Sequence, residues 1–112
     1  MDQSQVFVTE DRTPPPQLIQ LTNENIRQAV KEWCTFRNLA LTKYGPIGDW
    51  NTSAIISTKE LFANMTRFND DISRWDMSNV TNMSGMFNNA RLFNQDISDW
   101  NVSKGKYQVL QL

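Results

Sequence analysis

ISRWDMSNVTNMSGMFNNARLFNQD, residues 72–96, is one copy of a unit that recurs every 25 residues. Shifted back by 25, Ile72, Trp75, Ser78, Val80, Phe87, Phe93 and Asp96 fall on Ile47, Trp50, Ser53, Ile55, Phe62, Phe68 and Asp71. Shifted forward, Ile97, Trp100, Asn101 and Ser103 take the places of Ile72, Trp75, Asp76 and Ser78. No residue is inserted or lost between Ile47 and Ser103. A fixed period of this length marks units that each form one supersecondary piece and stack on a neighbour.

Two shorter periods alternate within the unit. Asp71-Ile72-Ser73-Arg74-Trp75 reads as the apolar–polar alternation of a half-buried strand. Asp76-Met77-Ser78-Asn79 is a turn cluster. Met83, Met86, Phe87 and Ala90 then follow the spacing of one helical face, with Thr58, Leu61, Phe62 and Met65 at the same places one unit earlier. Thr81 or Asn82 can cap that helical turn. The expected fold class is therefore α/β: a short solenoid of strand, turn and short helix per 25 residues, with strands side by side. Ile47, Ile72 and Ile97, and Trp50, Trp75 and Trp100, form structural ladders in it, joined by Phe62 with Phe87 and Phe68 with Phe93.

Stacking is compulsory on magnitude. About seven core side chains per unit return roughly 1.5–3 kcal/mol each on full burial. Ordering each backbone residue costs about 1–2 kcal/mol. A lone unit loses that contest, so neighbours must share faces. The units expected are 47–71, 72–96 and a partial 97–112.

The flanks differ in kind. Residues 1–16 form a polar arm ending in Pro14-Pro15-Pro16, with a β-prone island at Val6, Phe7 and Val8. That island is either part of a free tail or a strand for a partner's sheet edge. Residues 17–46 hold a helix and a linker, with the helix over 22–38 capped by Thr22 or Asn23. Ile26, Ala29, Val30, Trp33 and Arg37 make its inner face. Laid across the open end of the stack, it is an N-terminal cap. After Ser103 the pattern fails: Gly105 stands where Val80 stood, and Tyr107, Val109, Leu110 and Leu112 make an apolar end. That end either caps the stack or offers an edge to another chain, an end-to-end contact through the incomplete repeat.

The chain contains no His and a single cysteine, Cys34, so an internal disulfide, a thiol metal cluster and a His-activated nucleophile are all excluded. A net charge of −1 with mixed signs gives no basic footprint for nucleic acid. No apolar run approaches the ~18 residues of a membrane span and no secretory leader is visible, so an intracellular or virion-associated protein is expected. Asp70, Asp71, Asp96 and Asp99 are the best acidic cluster, but short carboxylates in turns ordinarily bond nearby backbone groups. No cofactor, metal or catalytic residue is expected. Asn51, Asn64, Asn79, Asn82 and Asn101 each begin an N-x-Ser/Thr sequence, a glycan acceptor only in a secreted chain. Cys34 reads as a small apolar filler.

The phrases WDMSNVTNMSGMFNNARLFNQDISDW and YGPIGDWNTSAIISTKELFANMTRFNDDISRW resemble the BspA-like, leucine-rich-repeat-like family first noted in mycoplasma surface lipoproteins. The resemblance spans roughly residues 22–103, and TNENIRQAVKEW looks like that family's N-terminal cap. It implies a right-handed leucine-rich-repeat-like solenoid with a binding or surface role and no enzymatic activity. Family members carry many repeats; this chain has barely more than two. The expected function is a non-enzymatic protein–protein interaction or structural module, a small component of a larger assembly such as a virion or organelle complex. The alternative is a surface adhesion module for glycan or host protein.

Overall fold

A computed structural model describes residues 17–105. The flanking residues expected to meet a partner, Val6, Phe7, Val8, Tyr107, Val109, Leu110 and Leu112, lie outside the described residues.

The chain opens with two helices, α1 (Ile26–Thr35) and α2 (Arg37–Tyr44). One helix over 22–38 was expected. Phe36 divides it, with φ −132° and ψ 69° outside the helical region, while its N–H still donates to Glu32 O at 2.6 Å. The bend carries Ala40 and Tyr44 of α2 onto the same core as Ala29, Val30 and Trp33 of α1. No Pro or Gly marks Phe36, so packing rather than local propensity sets the break. Ahead of α1, Thr22 N–H donates to Asn25 Oδ1 at 2.8 Å and Asn25 N–H to Thr22 Oγ1 at 3.2 Å. This is the reciprocal arrangement of a capping box, with Asn in the usual Glu or Gln place.

The α/β solenoid is not the architecture. Among the described residues there is no strand and no sheet; a single isolated parallel bridge joins Ser57 and Asn82. Nor is there an α-helix inside either repeat; Ile47–Asp49 is one short 3-10 helix. Each 25-residue coil is instead a succession of tight turns in which a carbonyl accepts from the N–H three residues on. In the second coil these close at Ile72–Trp75, Met77–Val80, Met83–Met86, Phe87–Ala90 and Ala90–Phe93, with N···O distances of 2.9–3.3 Å. The first and last residue of each of these five turns is buried; a sixth, Gly85–Asn88 at 3.1 Å, lies nearer the surface. A turn brings positions i and i+3 to the same side, so the apolar residues gather inside without any regular element.

This geometry explains both misreadings. Ile72 and Trp75 are three apart, and a strand would send them to opposite faces; the turn buries both, at 0% and 3% exposure. The spacing of Met83, Met86, Phe87 and Ala90 fits a helical face and two consecutive turns equally well. Left-handed residues decide between them. Glu60 (φ 55°) and Gly85 (φ 61°) are one repeat apart, as are Asn64 (φ 64°) and Asn89 (φ 62°). Each is the third residue of its turn, the place where a type II turn requires positive φ. An α-helix cannot pass through such residues.

The coils lie one on the other. Thr58, Glu60, Phe62 and Asn64 donate their N–H groups to the carbonyls of Asn82, Ser84, Met86 and Asn88 at 2.8–3.0 Å. Inside, Phe62 stacks on Phe87 at 5.6 Å and Phe68 on Phe93 at 5.7 Å, with interplanar angles of 4° and 7°. Trp50 stacks on Trp75 at 6.1 Å. Gly48 is required where the first coil meets the second, because a Cβ there would lie 2.8 Å from Asp71 O.

Candidate interaction surface

The two ends of the stack have opposite chemistry. At the N-terminal end, helical side chains cover the backbone of the first coil. Asn23 Nδ2 donates to Ala54 O at 3.0 Å, and Asn23 Oδ1 accepts from Ile56 N at 2.8 Å. Arg27 Nη1 donates to Lys59 O at 2.7 Å. Trp33 packs edge-on against Trp50 at 6.1 Å, and Tyr44 against the same ring at 5.6 Å. Trp33 Nε1 donates to Asp70 Oδ2 at 2.9 Å; Arg37 pairs with the same oxygen at 2.9 Å and covers the Trp33 ring at 4.5 Å.

Between the helices, Lys43 Nζ bonds both oxygens of Glu32 at 2.9 and 3.1 Å. Hydrogen bonds from Gln28 and then Lys43 hold the Glu32 carboxyl below its usual range. The bond to Glu32 raises Lys43, and burial raises the Tyr44 phenol. This end is closed.

At the C-terminal end the register of the joint between coils leaves several amides unmatched among the described residues. Each donor in that joint meets a carbonyl 24 residues further on. One repeat later, the donors in the same places are Met83, Gly85, Phe87 and Asn89. Their N–H groups find no acceptor among the described residues, and the Thr81 carbonyl, matching Ile56 O, finds no donor there. The third coil follows the stack as far as Gly105: Trp100 Nε1 donates to Ile72 O at 3.1 Å, and Lys104 Nζ to Asn79 Oδ1 at 2.9 Å. These amides were not foreseen from the sequence. Backbone groups carry no side-chain signal, although the repeat period combined with an accounting of amides and carbonyls would have located them.

The ladder residues lie in the interior rather than on a surface. Ile47, Trp50, Phe62, Phe68, Ile72, Trp75, Phe87, Phe93 and Trp100 are buried and Ile97 is partly buried. The indoles are therefore closed to stacking ligands. Asp71, Asp76 and Asp96 each accept from the N–H of the serine two residues on, at 2.9, 3.0 and 2.9 Å. The serine side chain and then its amide hold each carboxyl below its usual range. Asn51 and Asn101 hold Ser53 and Ser103 in the same way, and Asn82 holds Ser84. Among the described residues no group of three or more His, Cys, Asp or Glu side chains is placed to hold a metal. Cys34 is exposed rather than filling a core, and lines a cleft of about 260 Å³ with Arg37, Met65, Arg67 and Phe68. Partial desolvation pushes its thiol up, which leaves it protonated and a poor nucleophile near neutral pH.

The pattern of one protein family matches residues 33–109: Mycoplasma protein of unknown function, DUF285. The chain belongs to this family. The DUF285 match begins at Trp33 on α1 and takes in both full coils and the start of the third. DUF285 falls broadly within the BspA-like mycoplasma repeat proteins. No curated protein and no solved structure matches the chain. Among the described residues no helix is long and apolar enough to cross a membrane.

Proposed function

We propose that this DUF285 protein is a non-enzymatic protein–protein interaction module, a small structural component that joins a larger assembly through its C-terminal coil. One observation carries this reading: Asn23 and Arg27 bond the backbone of the first coil at one end of the stack, while at the other the amides of Met83, Gly85, Phe87 and Asn89 find no acceptor among the described residues. Unpaired backbone donors are a template for association.

Site-specific photo-cross-linking in the native cells tests it. A cross-linker at Leu92, exposed on the second coil, is expected to give discrete protein adducts, and one at Leu39 on α2 is not. Adducts from neither position would overturn the interaction role. Adducts from Leu39 alone would move the contact to the helices and remove the coil from it.

A further inference from the structure

We propose that the cleft between the helices and the first coil binds a small organic carboxylate with a short apolar body. The site is separate from the coil contact proposed above and does not depend on it. It measures about 260 Å³ and is built from the end of α1, the start of α2 and the turn that Phe68 N–H closes on Met65 O at 3.1 Å. The charged side chains that line it, Arg37 and Arg67, are both cationic, and no carboxylate lines it. This is a local excess of positive charge in a chain of net charge −1. The two arginines differ in what they already hold. Arg37 pairs with Asp70 at 2.9 Å and lies over the Trp33 ring at 4.5 Å, so it forms a fixed wall. Arg67 is exposed at the tip of the turn and has no ion pair among the described residues.

The lining selects the ligand's chemistry. A guanidinium offers paired N–H donors that match the two oxygens of a carboxylate. Thr35 and Thr66 line the same cleft, and each hydroxyl can donate to the anion as well. The C-terminus of α1 and the N-terminus of α2 meet at Phe36, so their opposite partial charges offset and the arginines set the sign. The rest of the wall is apolar, from Phe68, which is buried, and Met65, which is partly buried. A bare phosphate would satisfy the guanidinium and leave that wall facing water, whereas a short hydrocarbon body covers it. Size sets the upper limit. Pockets for drug-sized ligands run to about 300–1,000 Å³, so this cleft is too small for a nucleotide or a large cofactor.

Cys34 lines the cleft and is the chain's single cysteine, so its alkylation reports on the site. Iodoacetate and iodoacetamide differ in charge and little in shape, and in both the thiolate sulfur displaces iodide from the same methylene carbon. Their rates on the full chain are read by intact mass at about pH 8.5, where thiolate is present. The iodoacetate-to-iodoacetamide ratio is expected to be at least about threefold higher in the folded chain than in the same chain in urea. Butyrate is expected to protect Cys34 from iodoacetamide saturably, with butyramide and inorganic phosphate protecting less at the same concentration. Arg67→Gln, at an exposed position, should return the ratio to its unfolded value with an unchanged melting curve, and Arg67→Lys, which keeps the charge, should keep most of it. Equal ratios in the folded and unfolded chain would overturn the proposal, as would a ratio that survives Arg67→Gln. Butyramide protecting as well as butyrate would reduce the cleft to an apolar dent and also overturn it. Phosphate protecting as well as butyrate would do the same, since the apolar wall would then play no part.

Discussion

The indole of Trp75 donates to the carbonyl of Ile47 at 2.8 Å, across the joint between the first two coils and 28 residues back along the chain. Trp100 repeats the bond to Ile72 at 3.1 Å. Each tryptophan thus fills the interior and satisfies a buried carbonyl of the coil before it. Trp75→Phe keeps an aromatic ring near Trp50 and Phe62 but leaves the Ile47 carbonyl with only its turn bond from Trp50 N–H at 3.2 Å. The expected loss is about 0.5–1.5 kcal/mol for the hydrogen bond removed, before any cavity is counted. For a domain of this size each kcal/mol lowers the midpoint by roughly 4–8 °C. A melting curve within about 1 °C of the parent would refute the bond's structural role.

The same tryptophans mark how far the sequence could be read. The 25-residue register is written in side chains, and the stacked Phe62–Phe87 and Phe68–Phe93 pairs follow it. The elements were not legible, because apolar spacings of three and four belong to turns as well as to helices. Gly85, Asn64 and Asn89 carried the missing information, being residue types suited to left-handed turn positions. Glu60, in the same conformation, hid the pattern in the first coil. The break at Phe36 had no local signal. An edge at the broken third unit was legible, but the particular amides left unmatched among the described residues were not, because backbone groups carry no side-chain signal.

Gly85 tests the turn architecture directly. Its φ is 61°, and an added Cβ would meet Glu60 Cγ at 3.3 Å. Gly85→Val places a β-branched residue in a left-handed turn and is expected to cost about 1–2 kcal/mol in backbone strain alone. If residues 83–90 formed a helix, the same change would be mild. Equilibrium urea unfolding distinguishes the two, and a stabilised Gly85→Val variant would contradict the turn assignment.

Thr58 occupies the place that Met83 holds one repeat later. It is 1% exposed, and its Oγ1 has no hydrogen-bond partner among the described residues. Thr58→Val removes that hydroxyl at nearly constant volume. Relief of an unsatisfied buried polar group is expected to add about 1 kcal/mol of stability. Destabilisation on urea unfolding would mean that the hydroxyl is satisfied in solution.

Acid should loosen the coils through their Asp-x-Ser turns. Hydrogen bonds from Ser73, Ser78 and Ser98 hold Asp71, Asp76 and Asp96 below their usual range. The folded chain therefore binds fewer protons at these sites than the unfolded chain. Their contribution is complete above the unfolded value of about 4 and is lost as pH falls through the lower folded values. Asn51 and Asn101 make the same turn bond without a charge. Replacing all three aspartates with asparagine should flatten the acid limb of the stability profile while leaving the fold intact at neutral pH. An unchanged acid limb would assign it to other carboxylates.

Asn23 ties the helical cap to the first coil with both ends of its amide, Nδ2 to Ala54 O and Oδ1 to Ile56 N. Asn23→Ala removes both bonds at an exposed site, so water can take over the freed groups and the loss should stay near 1–2 kcal/mol. The local signature is sharper than the global one. Ile56 N–H loses its only acceptor among the described residues and should exchange faster, while Phe62 N–H, bonded to Met86 O at 2.8 Å, should not change beyond the global loss. An Ile56 amide that stays as protected as in the parent would place the hold on the cap in the Trp33–Trp50 and Tyr44–Trp50 contacts rather than in this side chain.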